Sequence, residues 1–157
     1  MLSFYVDSLE ETHQLGKAIG ESISSPILFS FTGELGTGKT EWVKALGEGL
    51  RVRESIVSPT FTLIHEYPAS PYPLVHVDLY RLEKKESIDQ LGLEEYFEKS
   101  IVCIEWADRW RVPPSIDCVT IQLFHVAETK RQVLLTGSGK QGLEIYNRTR
   151  HLLTRFW

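Results

Sequence analysis

Between Gly33 and Thr40 the chain reads GELGTGKT, which meets G-x-x-x-x-G-K-[ST] at every fixed position. Each constraint has a chemical reason. Gly33, Gly36 and Gly38 permit positive φ and close backbone approach. Successive N–H groups can then turn inward around phosphate oxygens. A helix that follows points its N-terminus at the same anion. Lys39 brings a mobile positive charge to β- and γ-phosphates, and Thr40 offers a hydroxyl to Mg²⁺.

Phosphate binding alone names no reaction. Phosphoryl transfer also needs acids that hold Mg²⁺ or its water shell, and a group that orients the attacker. Asp78 ends the apolar run LVHVD and Glu105 ends IVCIE. Residues at the carboxyl ends of sheet strands face the ligand crevice in α/β folds. A carboxylate there is costly to bury unless it is paired or metal-bound. Glu105 has the setting of a Walker B acid; the plainer reading is a strand-end carboxylate capping a loop. Thr60 and Thr62 of SPTFT fit either switch threonines that meet a γ-phosphate or its metal, or ordinary turn chemistry before a strand. Trp106 can stack on a ligand or fill the core. Arg81 can pair with a carboxylate or phosphate, or form a surface ion pair.

These residues need a scaffold, and the sequence outlines one. Ser8 followed by Glu11 fits a capping box at the start of a helix over DSLEETHQLGKAIGES. SPILFSFTG reads as a buried strand leading into the glycine loop, and KTEWVKALGEGL as the helix after it, its last turns weakened by Gly47 and Gly49. SPTFTLIHEY and LVHVDLY alternate like strands around a turn in PASPYP. KKESIDQLGLEEYFEKS is helical with a break near Gly92, and SIVCIEW is another short buried strand. CVTIQLFHV and RQVLLTG pair as a hairpin. GLEIYNRTRHLLTRFW closes the chain as an amphipathic helix, with Leu143, Tyr146, Leu153 and Trp157 on its apolar side. The expectation is one α/β domain over residues 1–157, with a mixed sheet, parallel in part and antiparallel toward one side.

Composition narrows the partners. The 157 residues are 42% apolar and 24% charged, an ordinary globular balance. The formal net charge of −4 argues against tight, direct binding of RNA or DNA. Arg51 with Arg53, Arg109 with Arg111, and Lys130 with Arg131 read as solvated faces. No apolar run reaches the ~18–20 residues of a membrane span, and the N-terminus has no secretory pattern, so a cytoplasmic location is expected. Cys103 reads as a buried thiol in a reducing compartment. The five histidines show no zinc-ligand spacing.

In this order and at this close spacing, GELGTGKTEWVKALGEGL, SPTFTLIHEY, HVDLYRL, LGLEEYF and CIEWADR resemble the TsaE (older name YjeE) family of bacterial ATPases. These act in tRNA threonylcarbamoyladenosine synthesis. The resemblance spans Ser8 to Arg111 and is loose after Pro114. It implies a three-layer P-loop NTPase-like fold. It implies ATP/ADP and Mg²⁺ as ligands and a TsaB–TsaD complex as partner, with tRNA met only indirectly. In that complex TsaD is the transferase, and ATP hydrolysis by TsaE permits repeated turnover.

Carried over by position, Gly33, Gly36, Thr37, Gly38, Lys39, Thr40 and Glu41 would bind the phosphates. Thr40 and Glu105 would hold Mg²⁺. Asp78 would stand near the metal as a second acid or a water-positioning base. Thr60 would belong to a switch-like loop, and Trp106 would lie by the site and the partner surface. Ser8 and Thr12 would lie near the adenine, with Arg131 touching the nucleotide. The family commonly has threonine where this chain has Glu41, which predicts weaker nucleotide affinity here.

Two other readings compete. A small-molecule or nucleoside kinase shares the loop, but KKESIDQLGLEEYFEKS carries no arginine for a lid. An adaptor that no longer hydrolyses ATP has no need of Lys39, Thr40, Asp78 and Glu105 together. A GTP switch would need an N-K-x-D signature, which the chain lacks.

Overall fold

The computed structural model describes residues 1–156. Its centre is a seven-stranded sheet. In chain order the strands are β1 (Leu2–Val6), β2 (Ile27–Thr32), β3 (Ile64–Tyr67), β4 (Leu74–Asp78), β5 (Ile101–Glu105), β6 (Cys118–His125) and β7 (Arg131–Ser138). In space they run β1-β7-β6-β2-β5-β4-β3. β2 lies parallel to both β5 and β6, and β4 parallel to β5. The pairs β1–β7, β6–β7 and β3–β4 are antiparallel. The sheet is therefore antiparallel at both edges, not at one as the sequence suggested. The extra strand is β1, which no sequence signal marked. Only Phe4 and Val6 of its five residues are buried, and its partner β7 lies at the far end of the chain.

Period-two alternation sorts the apolar side chains onto two faces. Ile27, Phe29, Phe31, Ile101, Cys103, Val119 and Ile121 pack beneath α1 (Leu9–Glu21), α2 (Lys39–Gly49) and α4 (Gly139–Phe156). Leu28, Val75, Val77, Val102 and Ile104 face the other way. There the cover is thinner: α3 (Lys85–Asp89), two 3₁₀ turns, and the side chains of Leu93 and Trp110. The expected break at Gly92 is a left-handed residue with φ 67° that starts the first of those turns.

Ser8 caps α1, its hydroxyl accepting from the Glu11 N–H at 3.1 Å. The Glu11 carboxylate reaches back one residue further than a capping box requires, to the Asp7 N–H at 2.6 Å. The glycines late in α2 have a packing reason. A Cβ on Gly49 would lie 2.2 Å from the Lys17 carbonyl oxygen, and one on Gly20 of α1 would lie 2.4 Å from that of Leu46. Their absence of side chains lets α1 and α2 cross at backbone contact. On α4, Ile145 and Thr149 are buried, and Tyr146 and Leu153 pack against the core, as expected for Tyr146 and Leu153. Leu143 is instead exposed, because it falls on the solvent side of the helix. Trp157 lies outside the described residues.

Candidate functional site

The loop between β2 and α2 does what its glycines permit. Gly36 has φ 79° and Gly38 φ 103°, and Gly38 is the residue from which α2 springs. A Cβ at either position would meet nothing within 4 Å, so backbone conformation, not crowding by the protein, requires glycine there. The helix begins at Lys39, so its free N–H groups open toward the loop.

Lys39 is 5% exposed, with Nζ donating to the carbonyls of Gly33 (2.6 Å) and Glu34 (3.0 Å). The ammonium also lies 4.2 Å from the centre of the Trp106 ring. Burial lowers its pKa, against the opposing pull of Glu105, Asp78 and Asp108. Those neighbours favour a charged lysine held ready for an anion. Trp106 faces Lys39 from a left-handed backbone (φ 58°), a conformation rare for a bulky residue. Tyr80 packs on its ring at 5.1 Å between centres.

The two strand-end acids are register partners: Asp78 of β4 lies beside Glu105 of β5. Both are 3% exposed. Glu105 accepts from Thr40 Oγ1, 2.9 Å from each carboxylate oxygen, and from His76 Nε2 at 2.5 Å. Asp78 accepts from the Ser58 hydroxyl at 3.1 Å, the Thr60 hydroxyl at 3.0 Å and the Tyr80 N–H at 2.9 Å. SPTFT is thus a loop folded onto Asp78, with Thr60 engaged and Thr62 exposed.

Gly36, Gly38, Lys39, Thr40, Glu41, Thr60, Asp78, Glu105 and Trp106 line one cavity of about 520 Å³. Ser8, Thr12, Thr37, Glu41 and Arg131 line a smaller one of about 240 Å³ that shares Gly36 and Gly38 with it. Gly33 and Thr37 stand on the loop's other flank beside Trp106. All the loop, strand-end and α1 residues singled out in the sequence therefore gather around one loop. Arg81 does not join them; its guanidinium lies over the Phe61 ring at 5.2 Å. Arg109 and Arg131 are not loosely solvated. Arg109 donates to the carbonyls of Leu79, Tyr80 and Leu82. Arg131 donates to those of Gly36 and Thr37, bracing the phosphate loop from β7.

Glu41 is held on both sides. His13 Nε2 of α1 lies 3.1 Å from Oε2, and Lys44 Nζ lies 3.2 Å from Oε1. Burial would raise its pKa, but the bonds from His13 and Lys44 outweigh that and leave the carboxyl below its usual value.

Comparison with known proteins decides the family. The model of the family described as "Threonylcarbamoyl adenosine biosynthesis protein TsaE" matches residues 6–133. The chain belongs to the TsaE family. It is similar to the tRNA threonylcarbamoyladenosine biosynthesis protein TsaE of Nostoc sp., 41% identical over 87% of this chain and 86% of that one. It is 33% identical to the Bacillus subtilis TsaE over 84% of this chain and 83% of the relative. The crystal structure of Bacillus subtilis YdiB superposes with a TM-score of 0.79 at 27% identity, covering 96% of this chain and 94% of that one. The TsaE family and the P-loop NTPase-like α/β fold expected from the motifs are both found. The family match reaches Val133, well past Pro114, where the motif resemblance became loose.

Sequence reading singled out neither His76, Ser58, His13 nor Arg109 for a role. A signal existed for the first: His76 precedes Asp78 by two residues, so strand alternation places both on one face. His13 touches Glu41 only through the crossing of α1 and α2, which no local pattern encodes.

Proposed function

We propose that this TsaE-family chain binds ATP with Mg²⁺ at the Gly33–Thr40 loop and hydrolyses it. The cycle drives turnover of a TsaB–TsaD complex making threonylcarbamoyladenosine in tRNA. The observation that carries the reading is the Thr40–Glu105 hydrogen bond beneath the loop, with Asp78 beside it. A hydroxyl that gives its proton to Glu105 keeps its lone pairs for a cation. Thr40, Glu105 and Asp78 offer hard oxygen donors, the kind Mg²⁺ prefers. Among the described residues no cluster of three or more His, Cys, Asp or Glu side chains could hold a metal by itself. Mg²⁺ is commonly held by one or two carboxylates plus substrate phosphates. Bound there, Mg²⁺ would neutralise charge on the phosphate oxygens.

The chain's own residues supply the rest. Lys39 would exchange its two carbonyl partners for phosphate oxygens. Gly36, Thr37 and Gly38 would present N–H groups to the phosphates. Three donors on Asp78 favour ordering a metal's water shell over abstracting a proton. Ser8, Thr12 and Arg131 border the cavity where the base would lie. Net charge of −4 fits a protein that reaches tRNA through its partners. On this reading the chain works in the cytoplasm and is not itself the transferase. Among the described residues no helix is long and apolar enough to cross a membrane.

The test is multiple-turnover tRNA modification by TsaB–TsaD with this chain, without it, and with Lys39→Ala. Stimulation by the wild type alone is expected. Full stimulation by Lys39→Ala would overturn the reading. Phosphate transfer to a metabolite instead of water would replace it with a kinase.

A further inference from the structure

We infer that His76 is a positioning residue for Glu105, fixing the rotation of its carboxylate beneath the phosphate loop. The inference rests on the metal-site reading of Glu105 given above. Thr40 Oγ1 is equidistant from the two carboxylate oxygens, 2.9 Å from each, but a hydroxyl has one proton to give. Thr40 alone therefore does not decide which oxygen faces the loop. His76 Nε2 bonds Oε2 only, at 2.5 Å, and breaks that symmetry. With a carboxylate as acceptor, Nε2 is the donor of this bond. Oε2 is taken by His76, and Oε1 is left for Thr40 and whatever Thr40 binds.

Core packing does not account for this side chain. His76 is completely buried, and so are its strand neighbours Leu74, Val75 and Val77, all apolar. Its Nδ1 has no hydrogen-bond partner among the described residues. A buried polar atom without a partner keeps its full desolvation penalty. An apolar residue of similar volume would avoid that cost. Among the described residues, the one interaction that an apolar residue cannot supply is the bond to Glu105. The register explains why the histidine comes from β4: His76 pairs with Cys103, two residues before Glu105 on the same face. A side chain longer than valine, standing one strand across and two residues back, reaches the carboxylate diagonally.

Asparagine and glutamine separate the two ring edges. Asparagine puts its amide near the Nδ1 position and leaves Glu105 with its Thr40 bond alone; glutamine puts an N–H near Nε2. Three quantities are measured for wild type, His76→Asn, His76→Leu and His76→Gln. These are the thermal midpoint, ADP affinity in EDTA, and Mn²⁺ affinity of the ADP complex by electron paramagnetic resonance. Losing a residue that orients a metal ligand typically costs 10–100-fold in metal affinity. His76→Asn and His76→Leu should therefore bind Mn²⁺ about tenfold or more weakly, with ADP affinity in EDTA held within about twofold. His76→Gln should recover most of the loss. Wild-type Mn²⁺ affinity in either breaking variant overturns the inference. So does a parallel loss of metal and metal-free ADP binding in all three variants, which would mark a general structural role. Wild-type protein whose ADP complex takes up no Mn²⁺ would instead overturn the metal-site reading itself.

Discussion

Thr40 Oγ1 and the Glu105 carboxylate, 65 residues apart in the chain, are joined by the hydroxyl's one proton, with Oγ1 2.9 Å from each carboxylate oxygen. The bond ties the first turn of α2 to the last residue of β5. It places the hydroxyl that a cation would need directly under the phosphate loop. Glu105→Gln keeps the side-chain shape and one acceptor oxygen but removes the charge. ATP hydrolysis should fall by on the order of 10²-fold, the usual cost of losing one preorganised electrostatic group. ADP binding in EDTA should be kept, since the phosphate-facing N–H groups remain. Phosphate release and calorimetry read the two quantities. Hydrolysis at the wild-type rate would remove Glu105 from the site.

Glu41 adds a negative charge where phosphates are expected; Lys44 partly cancels it and His13 is hydrogen-bonded to it. Glu41→Thr should tighten ADP binding, but only about two- to fivefold, matching the roughly 0.3–1 kcal/mol of a charge at a helix N-terminus. The apo protein should melt slightly lower, because the same charge favours the start of α2. The folded carboxyl titrates below its usual 4.5. Its contribution is therefore complete above that value and lost as pH falls through the lower, folded one. Glu41→Thr should lack this part of the acid-induced loss. Equal or weaker ADP binding by the threonine variant would count against the repulsion.

What the sequence showed and hid follows from the range of the interactions. The loop, Asp78 and Glu105 were legible because local pattern positions them: a glycine turn fixes backbone angles, and a strand end fixes a crevice. Elements with a strong period of their own, such as β2, β5 and the β6–β7 hairpin, were legible for the same reason. β1 was not, since five residues with two buried side chains become a strand only by pairing with β7. The Thr60–Asp78 contact was not legible: SPTFT fitted switch threonines and turn chemistry alike, and the bond to the end of β4 is made across 18 residues of chain. Arg81 was misjudged for the opposite reason. Proximity to Asp78 in sequence counted for less than the exposed Phe61 ring beside it in space.

Both cysteines should be silent toward thiol reagents in the native protein. Burial, with Glu105 adding to it, pushes the Cys103 thiol far above its usual 9.0. Burial takes Cys118 up to about 11, despite the opposing bonds from Thr120 and Ser30. At pH 8 a chromogenic disulfide should titrate no thiol in the folded state and both in denaturant. The unfolded thiols ionise first, so this contribution to stability is intact below 9.0 and declines as pH rises past it. Rapid reaction of a native thiol at pH 8 would show that the strands around it open readily.

Gly49→Ala sets two effects against each other. Helix propensity alone would gain about 1 kcal/mol. The new Cβ would stand 2.2 Å from the Lys17 carbonyl oxygen, 2.7 Å from the Glu21 nitrogen and 2.8 Å from the Gly20 Cα. All three are backbone atoms and cannot rotate aside, so the helices must separate. Overpacking of this kind costs roughly 1–3 kcal/mol, which outweighs the propensity. A net loss near 1 kcal/mol lowers the melting midpoint of a chain this size by about 2–4 °C. Separation also moves Ser8 and Thr12, carried by α1, away from the loop that opens α2. ADP affinity should therefore fall with the midpoint. A raised midpoint with unchanged ADP binding would mean that the crossing yields easily and propensity decides.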